Sequence, residues 1–300
     1  DLVLKINPPT TEEIEYLKPC TYLVSALQIN LRDQDYFKKL SEKKVNAIAF
    51  EFIVDEYRQL SLVRLIGEIA GNVAVLYAAE LLALSNGLML GGITGVRPTE
   101  VVILGAGIVG EFATKAALGL GASVKVFDNS LSKLRRLHMM VDGRVPTSII
   151  DPKELNKSLK RADVVIGAFS KYSAFPVITK EMVMGMKKGS VIIDVTIDNS
   201  NVIETSELTD MENPFVVKYG VIHSGLPNLT SKMPRTTTKA ISNFFLSYLL
   251  NYDEEGGFEN MLVRKNEMKQ SLYMYKGRHT NKGICDRFNL TYHDINRLIF

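Results

Sequence analysis

T-E-V-V-I-L-G-A-G-I-V-G-E-F-A-T-K-A-A-L-G-L-G-A-S-V-K-V-F-D-N-S-L-S-K, residues 99–133, reads as strand, tight glycine turn, helix and strand. Residues 101–104 are a short apolar run bounded by turn residues, as expected of a buried parallel strand. Gly105, Gly107 and Gly110 follow in G-x-G-x-x-G spacing. In such a turn the first glycine permits the sharp bend and the second lets a pyrophosphate approach the backbone. The third lets helix and strand pack closely. The helix after it carries Ala113, Ala116, Ala117 and Leu120 on one face, and its N-terminus offers free N–H groups to an anion. Gly121 is placed to end it, and residues 123–127 form the next strand, closing on Asp128.

Glycines punctuate many loops, so the motif gains its meaning from the strand–turn–helix context and from an acid about 20 residues on. Asp128 can accept hydrogen bonds from adenosine ribose hydroxyls, and its charge repels a 2′-phosphate. That favours NAD over NADP, with Lys133 and Arg135 close enough to temper the preference. The turn of Gly105, Ala106, Gly107, Ile108, Val109 and Gly110 is read as a dinucleotide site.

At 300 residues the chain has length for two domains, each with its own core. The apolar share of 46%, charged share of 23% and net charge of +3 are ordinary, and imply no polyanionic partner. The cluster Lys133, Arg135, Arg136 is better explained by a solvated helix face or an adenosine contact than by DNA. Cys20 and Cys285 have neither metal nor redox spacing, so no metal site is expected. Reduced thiols in a cytoplasm are the default. The most apolar helix, around residues 69–84, is interrupted by Asn72 and Glu80, short of the ~20 residues a membrane span needs. Because Asp1 is followed at once by a strand-like run, a preceding segment is expected to be missing.

Residues 2–6 read as a strand with Lys5 near its end, and Thr10 or Thr11 with Glu12 and Glu13 as a helix start. Residues 22–27 and 45–52 are strand-like, with a helix at 33–43 between them. This alternation argues for a parallel α/β unit. Residues 61–84 form one long helix, in which Gly67 and Gly71 permit close approach of a neighbouring helix. Beyond Asp128 come helix 131–141, a short strand near 148–150, helix 152–160, strands at 164–168 and 191–195, and a last strand at 216–222. A second long helix starts at Arg235. The tail from 251 to 300 is read as mostly helical, broken at Asp253-Glu254-Glu255-Gly256-Gly257.

These segments resemble the family of alanine dehydrogenases and the NAD-binding subunit of nicotinamide nucleotide transhydrogenase. The resemblance is carried by D-L-V-L-K at the start, G-E-I-A-G at 67–71, G-G-I-T-G-V at 91–96 and the glycine motif with F-D-N-S-L-S-K-L-R-R-L. A-D-V-V-I-G-A at 162–168, K-K-G-S-V-I-I-D-V-T-I-D at 187–198 and P-N-L-T-S-K-M-P-R-T-T-T at 227–238 complete it. Alanine dehydrogenase is the nearer match, since the transhydrogenase subunit carries an Arg-Gln-Asp loop where this chain has Arg58-Gln59-Leu60.

The resemblance implies two Rossmann-like lobes, parallel sheets with flanking helices, joined by long helices with NAD in the cleft. Residues 61–234 would be the NAD-binding domain; residues 1–60 and 235–300 would form a discontinuous substrate domain with a returning helix. Family members carry a substrate-binding arginine ahead of D-L-V-L-K, so the substrate lobe here would be incomplete at its N-terminus. Relatives are homo-oligomers, and the same is expected here. The activity implied is reversible oxidative deamination of L-alanine or a similar small amino acid.

That chemistry needs a cation for the carboxylate, an acid/base, and a polar group for the attacking water. By match, Lys5 holds the substrate, Asp198 is the active-site aspartate beside the nicotinamide and its ribose, and Asn228 lies near the nicotinamide amide and substrate. Lys133 and Ala168 join the cofactor set. The family's catalytic histidine falls on Gln28, whose carboxamide can orient a substrate but cannot shuttle a proton near neutral pH. Of the histidines, His223, at a strand end before Pro227-Asn228, is the candidate substitute. Asn199-Ser200-Asn201 stands where relatives have Gln-Gly-Gly, and Gly67 where they often have serine. These departures keep open a second reading, an NAD-binding relative that has lost catalysis and serves as a sensor or assembly partner. A transhydrogenase-type subunit is a third.

Overall fold

The computed structural model describes residues 2–55, 57, 59–169, 176–198, 200–250 and 256–299. Two units divide the chain: Asp1–Leu65 with Lys239–Phe300, and Ile66–Thr238. The first opens with strand β1 (Leu2–Leu4), helix α1 (Thr11–Tyr16), β2 (Tyr22–Ser25), α2 (Gln34–Glu42) and β3 (Asn46–Ala49). Thr10 starts α1 through a reciprocal cap: its hydroxyl accepts from the Glu13 amide, and the Glu13 carboxylate accepts from the Thr10 amide. Asp33 caps α2, which buries Tyr36, Phe37 and Leu40 at helical spacing. β1, β2 and β3 pair in parallel.

Helix α3 (Ser61–Asn86) carries the chain into the second unit. There β4 (Glu100–Leu104), α4 (Ile108–Gly119), β5 (Ser123–Phe127), α5 (Leu131–Met140), β6 (Thr147–Ser148) and α6 (Pro152–Leu159) alternate. β7 (Val164–Gly167), α7 (Lys180–Met184), β8 (Val191–Asp194), β9 (Val216–Lys218) and β10 (Val221–Ser224) follow. The sheet order is β6-β5-β4-β7-β8-β10-β9, parallel except for β9. The order reverses between β4 and β7, which is where such sheets bind ligands outside their strand ends.

Helix α3 is the one helix, among the described residues, long and apolar enough to cross a membrane. Here Val73, Ala74, Tyr77, Ala78 and Leu81 on it are buried in the second unit's core. The close approach expected at Gly71 is to α4: a Cβ there would overlap the Val109 carbonyl oxygen and lie 2.8 Å from the Ala113 nitrogen.

Helix α8 (Pro234–Leu250) returns the chain to the first unit, followed by α9 (Phe258–Arg264), α10 (Asn266–Gln270), β11 (Leu272–Tyr275), β12 (Arg278–His279) and α11 (Lys282–Phe288). Two expectations are corrected here. The tail is not mostly helical: β11 pairs antiparallel with β3 and β12 with β11, completing the sheet order β1-β2-β3-β11-β12. The returning segment therefore adds strands as well as a helix, because L-Y-M-Y-K-G-R-H forms a hairpin around Lys276 and Gly277, both at positive φ.

The last strand of the second unit is likewise a hairpin rather than one run over 216–222. Tyr219 (φ 57) and Gly220 (φ 78) turn β9 back into β10. The strand read at 45–52 stops at Ala49, and Phe50–Phe52 tighten into a 3₁₀ turn. The expected break at Asp253-Glu254-Glu255 lies outside the described residues.

Candidate active site

The three motif glycines of the second unit each have a separate physical reason. Gly105 has φ +104, and a Cβ on it would overlap the Ala168 carbonyl oxygen at the end of β7. A Cβ on Gly110 would overlap the Gly105 carbonyl oxygen, so the start of α4 can lie against the end of β4 only without one. At Gly107 a Cβ would meet nothing within 4 Å. Packing therefore does not demand this glycine, and the space in front of it is open to a ligand. Gly107 caps α4 without contributing a side-chain oxygen, which leaves the amides of Ile108 and Val109 to a bound anion.

Asp128 ends β5 with only 2% of its surface exposed. One carboxylate oxygen accepts from the Ala106 amide at 2.7 Å and the other from the Ser130 amide at 2.7 Å. Its first task is thus structural, pinning the glycine turn to the end of β5. A carboxylate has about four acceptor positions, and the Ala106 and Ser130 amides take two of them. Ser130 caps α5 through the Lys133 amide, which fixes the backbone of Lys133 beside this corner. Ala168 follows β7, and its amide donates to the Leu104 carbonyl oxygen at 2.8 Å.

Asp198 lies in the turn after β8, and Asn228 beyond β10; both are exposed. Asn228 takes the left-handed conformation (φ 53) and starts a 3₁₀ turn at Leu229. Gly105, Asp128, Ala168, Asp198 and Asn228 therefore all sit past the C-terminal ends of parallel strands in one sheet. Beneath the Asp198 turn, Asp194 is 1% exposed. One of its oxygens accepts from the amide of Thr196, whose hydroxyl meets that of Ser200 at 3.0 Å. Burial pushes the Asp194 carboxyl up to about 6, opposed by the Thr196 amide and helped by the charge of Asp198.

The first unit gathers its own set at the matching edge of β1, β2 and β3. Lys5 follows β1 and pairs with Glu13 at 3.0 Å. Gln28 follows β2 in the left-handed conformation (φ 50). Glu51, in the 3₁₀ turn after β3, accepts from the Leu27 amide with both oxygens (2.9 and 3.0 Å) and from the Gln28 amide at 2.9 Å. A left-handed non-glycine residue costs about 1–3 kcal/mol, and hydrogen bonds to a charged acceptor return about 1.5–3 kcal/mol each. The clamp wins, and Gln28 is held where it stands.

His223 does not take the place of the missing histidine. It is 1% exposed within β10. Nδ1 donates to the Val221 carbonyl oxygen at 3.0 Å, which leaves Nε2 to accept from the Thr205 hydroxyl at 2.8 Å. With both nitrogens engaged and no solvent access, the ring cannot reach a substrate proton. Burial holds its pKa below the ordinary imidazole range; the Val221 bond opposes this and the Lys218 charge adds to it. The unfolded chain takes up the proton near pH 6.5, so the ring's contribution to stability is full above about 6.5 and is lost as pH falls below it. Replacing His223 with Gln should leave turnover within about threefold and shrink the stability lost between about pH 6.5 and 5. Matching denaturation curves for both proteins across that range would show that the ring is not so held.

The supporting roles of Glu51 and Asp194 are not legible in the sequence alone. The only signal for Glu51 is an acid between two phenylalanines, F-E-F, and for Asp194 an acid ending the apolar run V-I-I-D. Arg58 of the Arg-Gln-Leu loop and Asn199 of Asn199-Ser200-Asn201 lie outside the described residues.

Residues 74–282 match the family described as "Alanine dehydrogenase/PNT, C-terminal domain", and residues 1–70 match its N-terminal domain. A relative named alanine dehydrogenase 2, from Staphylococcus aureus (strain USA300), is 34% identical over 301 residues, covering 98% of this chain and 80% of its own. A solved L-alanine dehydrogenase superposes with a TM-score of 0.88 at 30% identity, covering 96% of this chain and 80% of that one. A transhydrogenase from Sinorhizobium meliloti shares the fold, with a TM-score of 0.76 at 18% identity over 94% of this chain and 80% of that one.

Proposed function

The chain belongs to the alanine dehydrogenase/PNT family, and from that membership we propose that it is an NAD-dependent amino-acid dehydrogenase of the alanine dehydrogenase type. It would interconvert L-alanine, or a similar small amino acid, with the 2-oxo acid and ammonium. The observation that carries this reading is the glycine turn at the reversal point of the second sheet, open in front of Gly107 and flanked by Asp128. The residues present fit a dinucleotide, and NAD bound there would supply the hydride acceptor.

The turn amides would hold the diphosphate, with Asp128 and Lys133 toward the adenosine end and Ala168 lining the turn. Asp198, exposed at the β8 turn, would take up the proton released as water adds to the oxidised substrate and ammonium leaves. Asn228 would orient the carboxamide of the cofactor through its own amide. Lys5 would exchange Glu13 for the substrate carboxylate, an exchange made easy because an exposed ion pair is weak. Gln28 would orient the substrate by hydrogen bonds without moving a proton. Self-association into a homo-oligomer is part of the same proposal.

The carboxamide at position 28 favours one competing reading, an NAD-binding relative with impaired catalysis. General acid–base catalysis contributes ~10²–10⁴-fold, so an uncompensated loss would leave a very slow deaminase. NADH oxidation in the presence of pyruvate and ammonium, run beside an NADH titration, separates the two. Saturable oxidation requiring both co-substrates is expected; tight NADH binding without oxidation would establish the impaired relative.

A further inference from the structure

Glu111 is a carboxylate with no exposed surface in the first turn of α4, one residue past the last motif glycine. One of its oxygens is held by the Arg136 guanidinium, reaching across from α5. The other oxygen has no hydrogen-bond partner among the described residues. Nη2 of the same guanidinium lies 3.5 Å from the carbonyl oxygen of Ala106, the residue between the first two motif glycines. The amide of Ala106 is the one pinned by Asp128. Both polar groups of a single turn residue are thus tied to charged side chains from neighbouring elements.

A buried carboxylate is costly unless paired, and truncating its partner leaves that cost uncompensated. Position compounds the cost here. A negative charge in the first helical turn suits the helix itself, but it competes with any anion approaching the same N–H groups. Paired with Arg136, the Glu111 charge is cancelled; unpaired, it would stand directly beneath an incoming diphosphate.

We propose that Arg136 is a positioning residue for dinucleotide binding, cancelling the buried Glu111 charge under the glycine turn and steadying the Ala106 carbonyl so that the turn amides stay free for a diphosphate. The inference rests on the cofactor reading above. Arg136 need not touch the ligand: its influence passes through Glu111 and Ala106.

Calorimetric titration of the intact chain with NADH, ADP and adenosine tests it. Arg136→Met should weaken NADH and ADP by roughly 10- to 100-fold and leave adenosine, which lacks a diphosphate, within about threefold. The double variant E111Q/R136M should return ADP to within about threefold of the wild type. Should R136M prove unfolded by circular dichroism, Arg136→Lys takes its place. It keeps the charge but loses the planar fork, so it should weaken ADP by roughly three- to tenfold. Unchanged ADP binding in the Arg136 variant, a parallel loss of all three ligands, or a double variant as weak as the single one would overturn the proposal. A wild type that takes up no NADH would instead sink the cofactor reading at the first titration.

Discussion

Replacing Asp198 with Asn should slow pyruvate- and ammonium-dependent NADH oxidation by ~10²–10⁴-fold while NADH binding stays near that of the wild type. The expectation comes from the contrast between two carboxylates four residues apart. Asp198 is exposed in the turn past β8, at the sheet edge where the glycine turn, Ala168 and Asn228 also lie. Asp194 is buried beneath it, bonded to the Thr196 amide, with its pKa pushed up to about 6. Environment sorts such pairs into different roles. On the proposed reading the exposed carboxylate exchanges a proton with substrate, and the buried one holds the turn in place. Asparagine at 198 keeps size and polarity and removes only the proton acceptor. A variant that turned over at the wild-type rate would transfer the proton role elsewhere in the site.

Gly110→Ala should abolish NADH binding and markedly lower the melting temperature, whereas Gly107→Ala should weaken NADH binding with a much smaller melting loss. At Gly110 the added methyl would overlap the Gly105 carbonyl oxygen. The overlapped oxygen is a backbone atom, so no flexible side chain can yield. Overpacking costs about 1–3 kcal/mol when side chains can adjust, and more when the backbone itself must move. Helix α4 would have to lift off β4, taking the turn with it. At Gly107 nothing lies within 4 Å of the added carbon, so the free protein meets no clash and loses only the N-cap preference for glycine over alanine. The methyl would fill the space into which the proposed diphosphate would come. Differential scanning calorimetry and an NADH titration on both variants decide the matter. Equal melting losses, or normal NADH uptake by G107A, would remove the basis for treating the turn as a cofactor cradle.

The elements legible from residue order are those whose signals are local. The glycine motif between two apolar runs announces a strand–turn–helix unit, T-x-x-E at Thr10 announces a helix start, and Gly67 with Gly71 announces a close neighbour for α3. Each rests on a contact or conformation a few residues wide. Tyr219 offered no such signal, because tyrosine is an uncommon left-handed residue and only its pairing with Gly220 makes the turn. The strand β11 was missed for a different reason: its partner is β3, more than two hundred residues earlier in the chain.

Side-chain roles divided along the same line. Lys5, Asp198 and Asn228 are candidates by matching motifs alone, and the structure adds only that each follows the C-terminal end of a strand. The clamp of Glu51 on Gln28 and the bracing of Glu111 by Arg136 arise only when distant segments meet. His223 failed as a substitute acid–base group because β10 is buried along its whole length, a consequence of sheet order that no short stretch reveals.

The central claim is that the second unit is an NAD site, and direct calorimetric titration of the unmodified chain with NADH and, separately, NADPH tests it most directly. Saturable uptake of NADH, with NADPH weaker by roughly tenfold or more because the Asp128 charge meets its 2′-phosphate, is the predicted result. Absence of heat from NADH on well-folded protein, or tighter uptake of NADPH, would contradict it.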